Sequence, residues 1–338
     1  MAARATLREV ALDAGVSPST VSRALAGNPA ISKQTRDRVF HSAAKLNYVP
    51  NLQARGLRSA ASTAVGLTIP SLVNPFFAQM AASIQQAADT DGFSVMIATT
   101  NEDAGQLDAA LQTFSGQQLA GAIIVPSMHS APMVQSLLDR GQKIVQVDRV
   151  LPGLEVPSVI TDARPSIRKA VQHLKDNGHS QIGYIAGPSS TSTGLQRLEG
   201  FHDAIRDTPE TNGLIFRGGY SSAEGFAGAA DLLKRGASAI IAGDSMMTVG
   251  ALQYVLDHKI GLGEDLALVG FDDQPAFQMQ PVPLTVIEQH VEDVGRRAWE
   301  KIAALIRGEP TSQHEVLPTT LTIRESSNFN FTSRRCSR

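Results

Sequence analysis

The run Ala11-Leu12-Asp13-Ala14-Gly15-Val16-Ser17-Pro18-Ser19-Thr20-Val21-Ser22-Arg23 reads as two short helices joined by a tight turn. Just upstream, Thr6 and Glu9 have the spacing of a capping box, with the hydroxyl on an orphan amide and the carboxylate reaching back. Leu7, Val10, Ala11 and Ala14 then share one helical face. Gly15 is suited to the left-handed backbone that ends the helix. Ser17 caps the second helix, and Pro18 fits its first position, where the amide has no partner in any case. With Val21 and Leu25 turned inward, Pro18, Ser19, Ser22 and Arg23 face out. This is the pattern of a helix-turn-helix whose second helix offers its N-terminal half to a major groove. A third helix is predicted from Ser32, with Val39, Ala43 and Leu46 closing a small three-helix core and Asn47-Tyr48-Val49-Pro50 ending it.

Charge agrees with that reading. Residues 1–60 hold nine Lys/Arg and three acids, +6 in a chain whose formal net charge is −2, so the remainder carries −8. A basic head on an acidic body suits a nucleic-acid contact confined to one end. The 338 residues fit a small domain plus a large two-lobed one. The one cysteine, Cys336, excludes a disulfide framework or a cysteine metal site within one chain. No run of about 18 apolar residues exists and no signal-peptide core is visible, which points to the cytoplasm and to no membrane partner.

From Thr63 the pattern changes to strand and helix in alternation. Val65–Ile69, Phe93–Ile97, Gly121–Val125 and Lys143–Val147 are short apolar runs separated by helical stretches. This is the rhythm of a parallel sheet covered on both faces. It restarts after Pro165, with strands predicted near Ile182–Ala186, Leu214–Phe216, Ala239–Ile241 and Leu266–Val269. Two doubly wound lobes follow, with a ligand expected in the cleft at the carboxyl ends of the strands.

Val10-Ala11-x-x-Ala14-Gly15-Val16-Ser17-x-x-Thr20-Val21-Ser22-Arg23 resembles the N-terminal signature of the LacI/GalR repressor family. The similarity continues through Asn74-Pro75-Phe76-Phe77, Val147-Asp148-Arg149, Arg197-Leu198-Glu199-Gly200-Phe201 and Gly270-Phe271-Asp272-Asp273. It implies an all-α helix-turn-helix domain over 1–49 and a hinge helix over 50–60. An α/β two-lobed, periplasmic-binding-protein-like domain of doubly wound parallel sheets follows over 61–325, with a basic tail over 326–338. Lobe 1 would take about 61–160 and 290–320 and lobe 2 about 161–289, the chain crossing near 161, 290 and 320. The helix from about Val291 to Arg307 would return to the first lobe.

Under that resemblance Pro18, Ser19 and Arg23 read base edges, whereas Thr6, Thr20, Ser22 and Ser32 hold phosphates or cap helices. Asn51-Leu52-Gln53-Ala54-Arg55-Gly56-Leu57-Arg58-Ser59 resembles the family's hinge helix, with DNA contacts from Asn51, Ala54, Arg55 and Leu57. A helix so short is unstable alone because nucleation is costly, and Gly56 costs about 1 kcal/mol more relative to alanine. Such a segment orders only when docked on DNA beside its twin. In the family, the leucine matching Leu57 wedges into the minor groove and kinks the operator. From the residues alone, the segment also reads as a plain linker.

Four groups gather at strand ends once the lobes are drawn. Ser71, Asn74, Phe76 and Phe77 follow the first strand, and Asp148 and Arg149 the fourth; Arg197 stands apart, and Tyr220, Asp244, Asp272 and Gln289 belong to the second lobe. Carboxylates and a guanidinium fork match vicinal hydroxyls, while aromatic faces pack a sugar ring or stack on a base. Phe77 serves either the cleft or the core, Arg149 either a ligand or a neighbouring acid. Asp273 reads as a structural carboxylate.

Ribose-binding relatives carry Asn-Pro-Phe, Asp, Arg, Asp and Gln at the matching places. This chain departs at Gly243, where the family usually has asparagine, and at Ala163. Loss of the amide at Gly243 removes a polar contact or opens room for a larger substituent, which turns the expectation from ribose toward a ribonucleoside or modified pentose.

Enzyme readings fare poorly. Gly243-Asp244-Ser245-Met246 echoes an esterase block but has no later Asp-x-x-His, the histidines lack metal spacing, and no phosphate loop is present. No cofactor is expected. The function expected is a repressor, a homodimer on palindromic double-stranded operator DNA, released by a sugar or nucleoside effector. The alternatives are a purine-type corepressor system, a regulator answering to a protein partner, and, more distantly, a solute-binding protein. The tail lacks the leucine heptads of a four-stranded bundle, which favours a dimer.

Overall fold

The computed structural model describes residues 5–25, 27–48, 62–329 and 331. It divides into two compact units, Met1–Ser62 and Thr63–Arg338. The hinge residues Asn51, Ala54, Arg55 and Leu57, and Cys336, lie outside the described residues.

The first unit holds α1 (Leu7–Asp13), α2 (Pro18–Leu25) and α3 (Lys33–Lys45). The capping box forms in both directions: the Glu9 amide donates to Thr6 Oγ1 (3.3 Å) and the Thr6 amide to Glu9 Oε2 (2.6 Å). Gly15 takes φ +62° at the turn. Ser17 Oγ accepts the Thr20 amide at 3.1 Å, and Ser32 Oγ that of Thr35 at 3.3 Å, so each later helix starts on a serine cap. Val10, Ala11, Ala14, Val21, Ala24, Val39 and Ala43 form the core, with Leu7, Leu25 and Leu46 packed at its edge.

The second unit begins with β1 (Ala64–Ile69), α4 (Pro75–Thr90), β2 (Ser94–Thr99), α5 (Ala104–Gly116), β3 (Gly121–Ile124), α6 (Ala131–Asp139), β4 (Ile144–Val147) and β5 (Ser158–Asp162). It continues with α7 (Arg164–Asp176), β6 (Gln181–Ala186), α8 (Ser192–Arg206), β7 (Asn212–Arg217), α9 (Ser222–Lys234), β8 (Ala239–Ala242), α10 (Ser245–Asp257) and β9 (Ala267–Phe271). The short α11 (Pro275–Gln278), β10 (Thr285–Glu288), α12 (Val291–Arg307), β11 (His314–Pro318) and β12 (Thr320–Thr322) complete it.

Two six-stranded sheets result, in the orders β11-β5-β4-β3-β1-β2 and β12-β10-β9-β8-β6-β7. Every pairing is parallel except the antiparallel β10–β12. The central strands are buried on both faces, which explains their unbroken Val/Ile/Ala runs. In the first sheet, α4 and α12 cover one face through Phe76, Met80, Ile84, Val294, Trp299 and Ile302. The other face is covered by α5 and α6. In the second sheet, α7 and α8 cover one face and α9 and α10 the other.

The chain passes between the sheets after β5, after β10 and after β11. Helix α12 packs on the first sheet, with Trp299 Nε1 donating to Asp91 Oδ2 at 2.8 Å. The segment after β12 returns to the second lobe. Ser326 Oγ accepts the Thr285 amide and donates to Leu268 O, His173 bonds Ser327, and Phe329 enters the core. His179 stacks on Phe331 at 4.8 Å and meets Phe329 edge-on at 5.4 Å.

Candidate functional site: a closed cavity between two lobes, and an exposed recognition helix

In the first unit, Pro18 and Ser19 are exposed at the start of α2 and Arg23 in its last turn, with Ser22 and Thr20 half-buried beside them. Thr20 and Ser19 share the Ser17 hydroxyl. Thr6 is the cap of α1 rather than a free surface hydroxyl.

In the second unit, both lobes point their strands' carboxyl ends into one crevice. The chain bends sharply there at two equivalent points. Asp148 follows β4 with φ +66°, and Asp272 follows β9 with φ +61°. Left-handed backbone is uncommon outside glycine, and aspartate is among the residues that tolerate it best. Both carboxylates are buried.

Phe76, Phe77, Asp148, Arg149, Thr193, Arg197, Tyr220, Asp244, Asp272 and Gln289 line one narrow space between the lobes. Of the ligand residues predicted from sequence, only Ser71 and Asn74 are outside this lining. The Ser71 hydroxyl accepts the Val73 amide at 3.0 Å and serves the turn before α4. Asn74 caps α4 through the Phe76 amide and extends its side-chain amide to Asp244 Oδ2 at 3.4 Å. Phe76 and Phe77, edge-on at 5.2 Å, belong both to the cavity wall and to the first lobe's core.

The two guanidiniums are already committed. Arg149 makes a two-pronged pair with Glu102 (2.6 and 2.8 Å), lies 3.4 Å from Asp148 and sits over the Tyr220 ring at 5.3 Å. Arg197 donates to Gly243 O and to Gln289 Oε1, both at 2.8 Å, with its guanidinium 4.4 Å above the Phe271 ring. Gln289 also accepts from Thr161 (2.8 Å) and donates to Asp272 Oδ1 (2.7 Å). Gln289 is thus held in one orientation by three neighbours.

Burial raises the pKa of all three cavity carboxylates. Burial pushes Asp148 up, opposed by the Arg149 and Arg197 charges. Burial likewise raises Asp244, although it caps α10 through the amides of Met246 (2.7 Å) and Met247 (3.1 Å). Asp272 is pushed up to about 6, again by burial, against its hydrogen bond from Gln289. While ionised, these carboxylates accept hydroxyl donors and resist a further negative charge.

Three contributors escaped the sequence reading. Glu102 is one, as the partner of Arg149. Thr193 is another: its hydroxyl lies 3.1 Å from Tyr220 Oη, and Thr191 holds the same phenol at 3.0 Å. Thr193 precedes Arg197 by four positions on α8, a spacing that puts both on one face and was available as a signal.

The third is Tyr184, and it corrects the expectation drawn from Gly243. No room is opened there. A Cβ at residue 243 would stand 2.6 Å from Ile185 O and 3.0 Å from the Tyr184 hydroxyl. The phenol occupies the space that a side chain at 243 would take. Ala163, the other departure, is buried in the second lobe's core at the start of α7. Asp273 is structural, as expected, in a two-pronged pair with Arg324 at 2.8 and 2.6 Å.

Among the described residues no helix is long and apolar enough to cross a membrane, and no group of three His, Cys, Asp or Glu side chains is placed to hold a metal ion. Residues 6–51 match the family described as bacterial regulatory proteins, lacI family, and residues 171–327 the periplasmic binding protein-like domain. The HTH-type transcriptional regulator GalR of Salmonella typhimurium is 30% identical over 321 residues, covering 93% of this chain and 94% of that one. The ribose operon repressor of Bacillus subtilis is 28% identical over 319 residues, 94% of this chain and 96% of its own. Among solved structures, the Lac repressor dimer bound to operator and the anti-inducer ONPF superposes with a TM-score of 0.85 at 27% identity, covering 96% of this chain and 99% of that one.

Proposed function

The chain belongs to the lacI family of bacterial regulatory proteins and is a DNA-binding transcriptional regulator, not an enzyme; from that premise we propose that it is a dimeric repressor released by a neutral monosaccharide. Pro18, Ser19 and Arg23 read the edges of bases in each half-site, Arg23 taking a guanine. Asn51, Ala54, Arg55 and Leu57 form the hinge contact at the centre of the palindrome. Exposed Leu72, Val73 and Met96 on the first lobe offer apolar surface for the partner copy.

One observation carries the choice of effector: Asp148 and Asp272 are buried in one small cavity whose two guanidiniums are already paired with groups of the protein. An anionic effector finds no free fork there. A polyol brings further hydroxyl donors to these carboxylates. The space between these side chains is too narrow as it stands for a sugar ring or a nucleoside, so the lobes part to admit the effector. Binding of the sugar changes how the lobes close and so biases the hinge; operator DNA must then alter sugar affinity by the same factor. We take the sugar as an inducer.

The test is a thermal-shift screen against D-ribose, D-xylose, D-arabinose, D-galactose, D-glucose, adenosine, hypoxanthine and D-ribose 5-phosphate. Asp148→Asn is run in parallel. At a hundred times its dissociation constant a ligand stabilises by about 2.7 kcal/mol. A shift by a neutral sugar that Asp148→Asn abolishes supports the reading, and a shift by the purine base or the phosphate ester overturns it. On DNA selected from random palindromes, Leu57→Ala should bind weakly; unchanged binding would remove the hinge from this account.

A further inference from the structure

Tyr184 lies in the middle of the second sheet and is wholly buried, its ring stacked on Phe201 at 4.8 Å with 14° between the planes. The hydroxyl at the far end has no hydrogen-bond partner in the structure. It extends toward the strand ends, next to the backbone of Gly243, whose carbonyl holds the Arg197 guanidinium. Its charged neighbours, Arg197 and Asp244, both line the cavity. Burial keeps it a phenol by raising its pKa well above the tyrosine norm. It therefore remains both donor and acceptor.

A buried hydroxyl without a partner is a cost to the free protein. In native proteins such a group calls for a specific explanation, and a ligand that arrives later is one. Two features make the arrangement specific to this site. Residue 243 has to be glycine for the phenol to reach so far, because a Cβ there would meet Tyr184 Oη at 3.0 Å. Nearby phenol Tyr220 is by contrast fully engaged by Thr191 and Thr193. Only one of the two tyrosine hydroxyls by the cavity is thus left open.

We propose that Tyr184 is a specificity-determining residue of the cleft, its hydroxyl pairing with one hydroxyl of the bound sugar beside the side-chain-free backbone of Gly243. The inference rests on the sugar reading above and adds to it the group that chooses among sugars. A site that expects a hydroxyl rejects an analogue lacking it more strongly than a merely apolar site does. The effector is then a monosaccharide for which removal of one particular hydroxyl is costly.

The experiment compares wild type with Tyr184→Phe by calorimetric titration and thermal shift. The probes are D-ribose, D-xylose, D-arabinose, D-galactose and D-glucose, followed by the single-deoxy forms of the tightest binder. Tyr184→Phe should melt no lower than wild type without sugar. It should bind the parent sugar about tenfold more weakly and lose discrimination against one deoxy form while keeping it against the others. Equal weakening toward every deoxy form, or a lower melt with unchanged sugar affinity, would make the hydroxyl structural and overturn the proposal. If none of the five sugars binds wild type, the sugar reading itself fails and the role of Tyr184 falls with it.

Discussion

The side-chain amide of Asn74 reaches the carboxylate of Asp244 across the cleft, 3.4 Å away and 170 residues on in the chain. Each of the two residues caps a helix of its own lobe, α4 and α10. The return contact comes from Ser245, whose hydroxyl donates to Asn74 Oδ1 at 3.2 Å. The lobes therefore close by bringing two helix N-termini together. Val150 and Ser192 add a second tie, amide to hydroxyl at 3.2 Å.

Asn74→Asp isolates that contact, since aspartate caps a helix as well as asparagine does. It sets two carboxylates face to face, a repulsion of up to ~4 kcal/mol at an effective dielectric of about 20. The protein should stay folded but scatter as a more open particle, and sugar affinity should fall at least tenfold. Small-angle scattering with an unchanged radius of gyration would show that the tie does not hold the lobes closed.

Asp272→Asn should stabilise the protein at neutral pH. The folded carboxyl, at about 6, binds its proton more tightly than the ordinary 3.8 of the unfolded chain. Its contribution to stability is therefore complete below pH 3.8 and lost as pH rises through 6, a total of about 3 kcal/mol. Asparagine also tolerates the left-handed backbone there. Denaturant melts at pH 7.5 should favour the variant, and those at pH 4 should not, while sugar affinity is lost at both.

His179 works in the opposite sense. Buried against Phe329 and Phe331, with Ser238 Oγ 3.0 Å from Nδ1, it is pushed down to about 4, chiefly by burial and then by neighbouring His173. The unfolded chain takes up the proton first. Stability is then whole above pH 6.5, falls as the pH drops toward 4, and is lower by about 3 kcal/mol below that. His179→Asn should flatten the acid limb by about one proton, read as the slope of unfolding free energy against pH.

In the first unit, capping and recognition should separate. Ser17→Ala removes the hydroxyl that holds the Thr20 amide and should cost about 1 kcal/mol of stability while leaving base preference intact. Arg23→Ala should leave the melt unchanged and weaken the selected palindrome by about 1–3 kcal/mol, with preference relaxed at one position of each half-site. Selection on random DNA followed by binding at two salt concentrations distinguishes them.

Legibility in the sequence followed periodicity. The N-terminal helices could be read from caps and a repeating apolar face, whereas α12 came only with the family resemblance. Of the eight strands the sequence showed, the six inside the sheets were visible because burial on both sides demands an unbroken apolar run. The half-exposed edge strands β2 and β7 were visible through the place of their short apolar runs in the strand-helix alternation. Strands β5, β10, β11 and β12 were not: Ser158-Val-Ile-Thr-Asp mixes polar and apolar, and His314–Pro318 alternates at an edge and ends in proline. In the site, residue types at strand ends pointed to most of the cavity wall. What they left out was pairing. Glu102 meets Arg149 across 47 positions, and Tyr184 reads as a core aromatic until the depth of the sheet shows where its hydroxyl ends.

The late crossings have a consequence in time. Strand β11 pairs with β5 in register His314 to Ser158, 156 residues later in the chain. At translation rates of roughly 5–20 residues per second, β5 waits about 8–30 s for its neighbour. Throughout that interval the first sheet ends in an open edge, the kind of template on which chains mispair. The second sheet waits as well, for β12. The three N-terminal helices, by contrast, are made in the first 45 residues, so the part that meets DNA is ready long before the part that would restrain it.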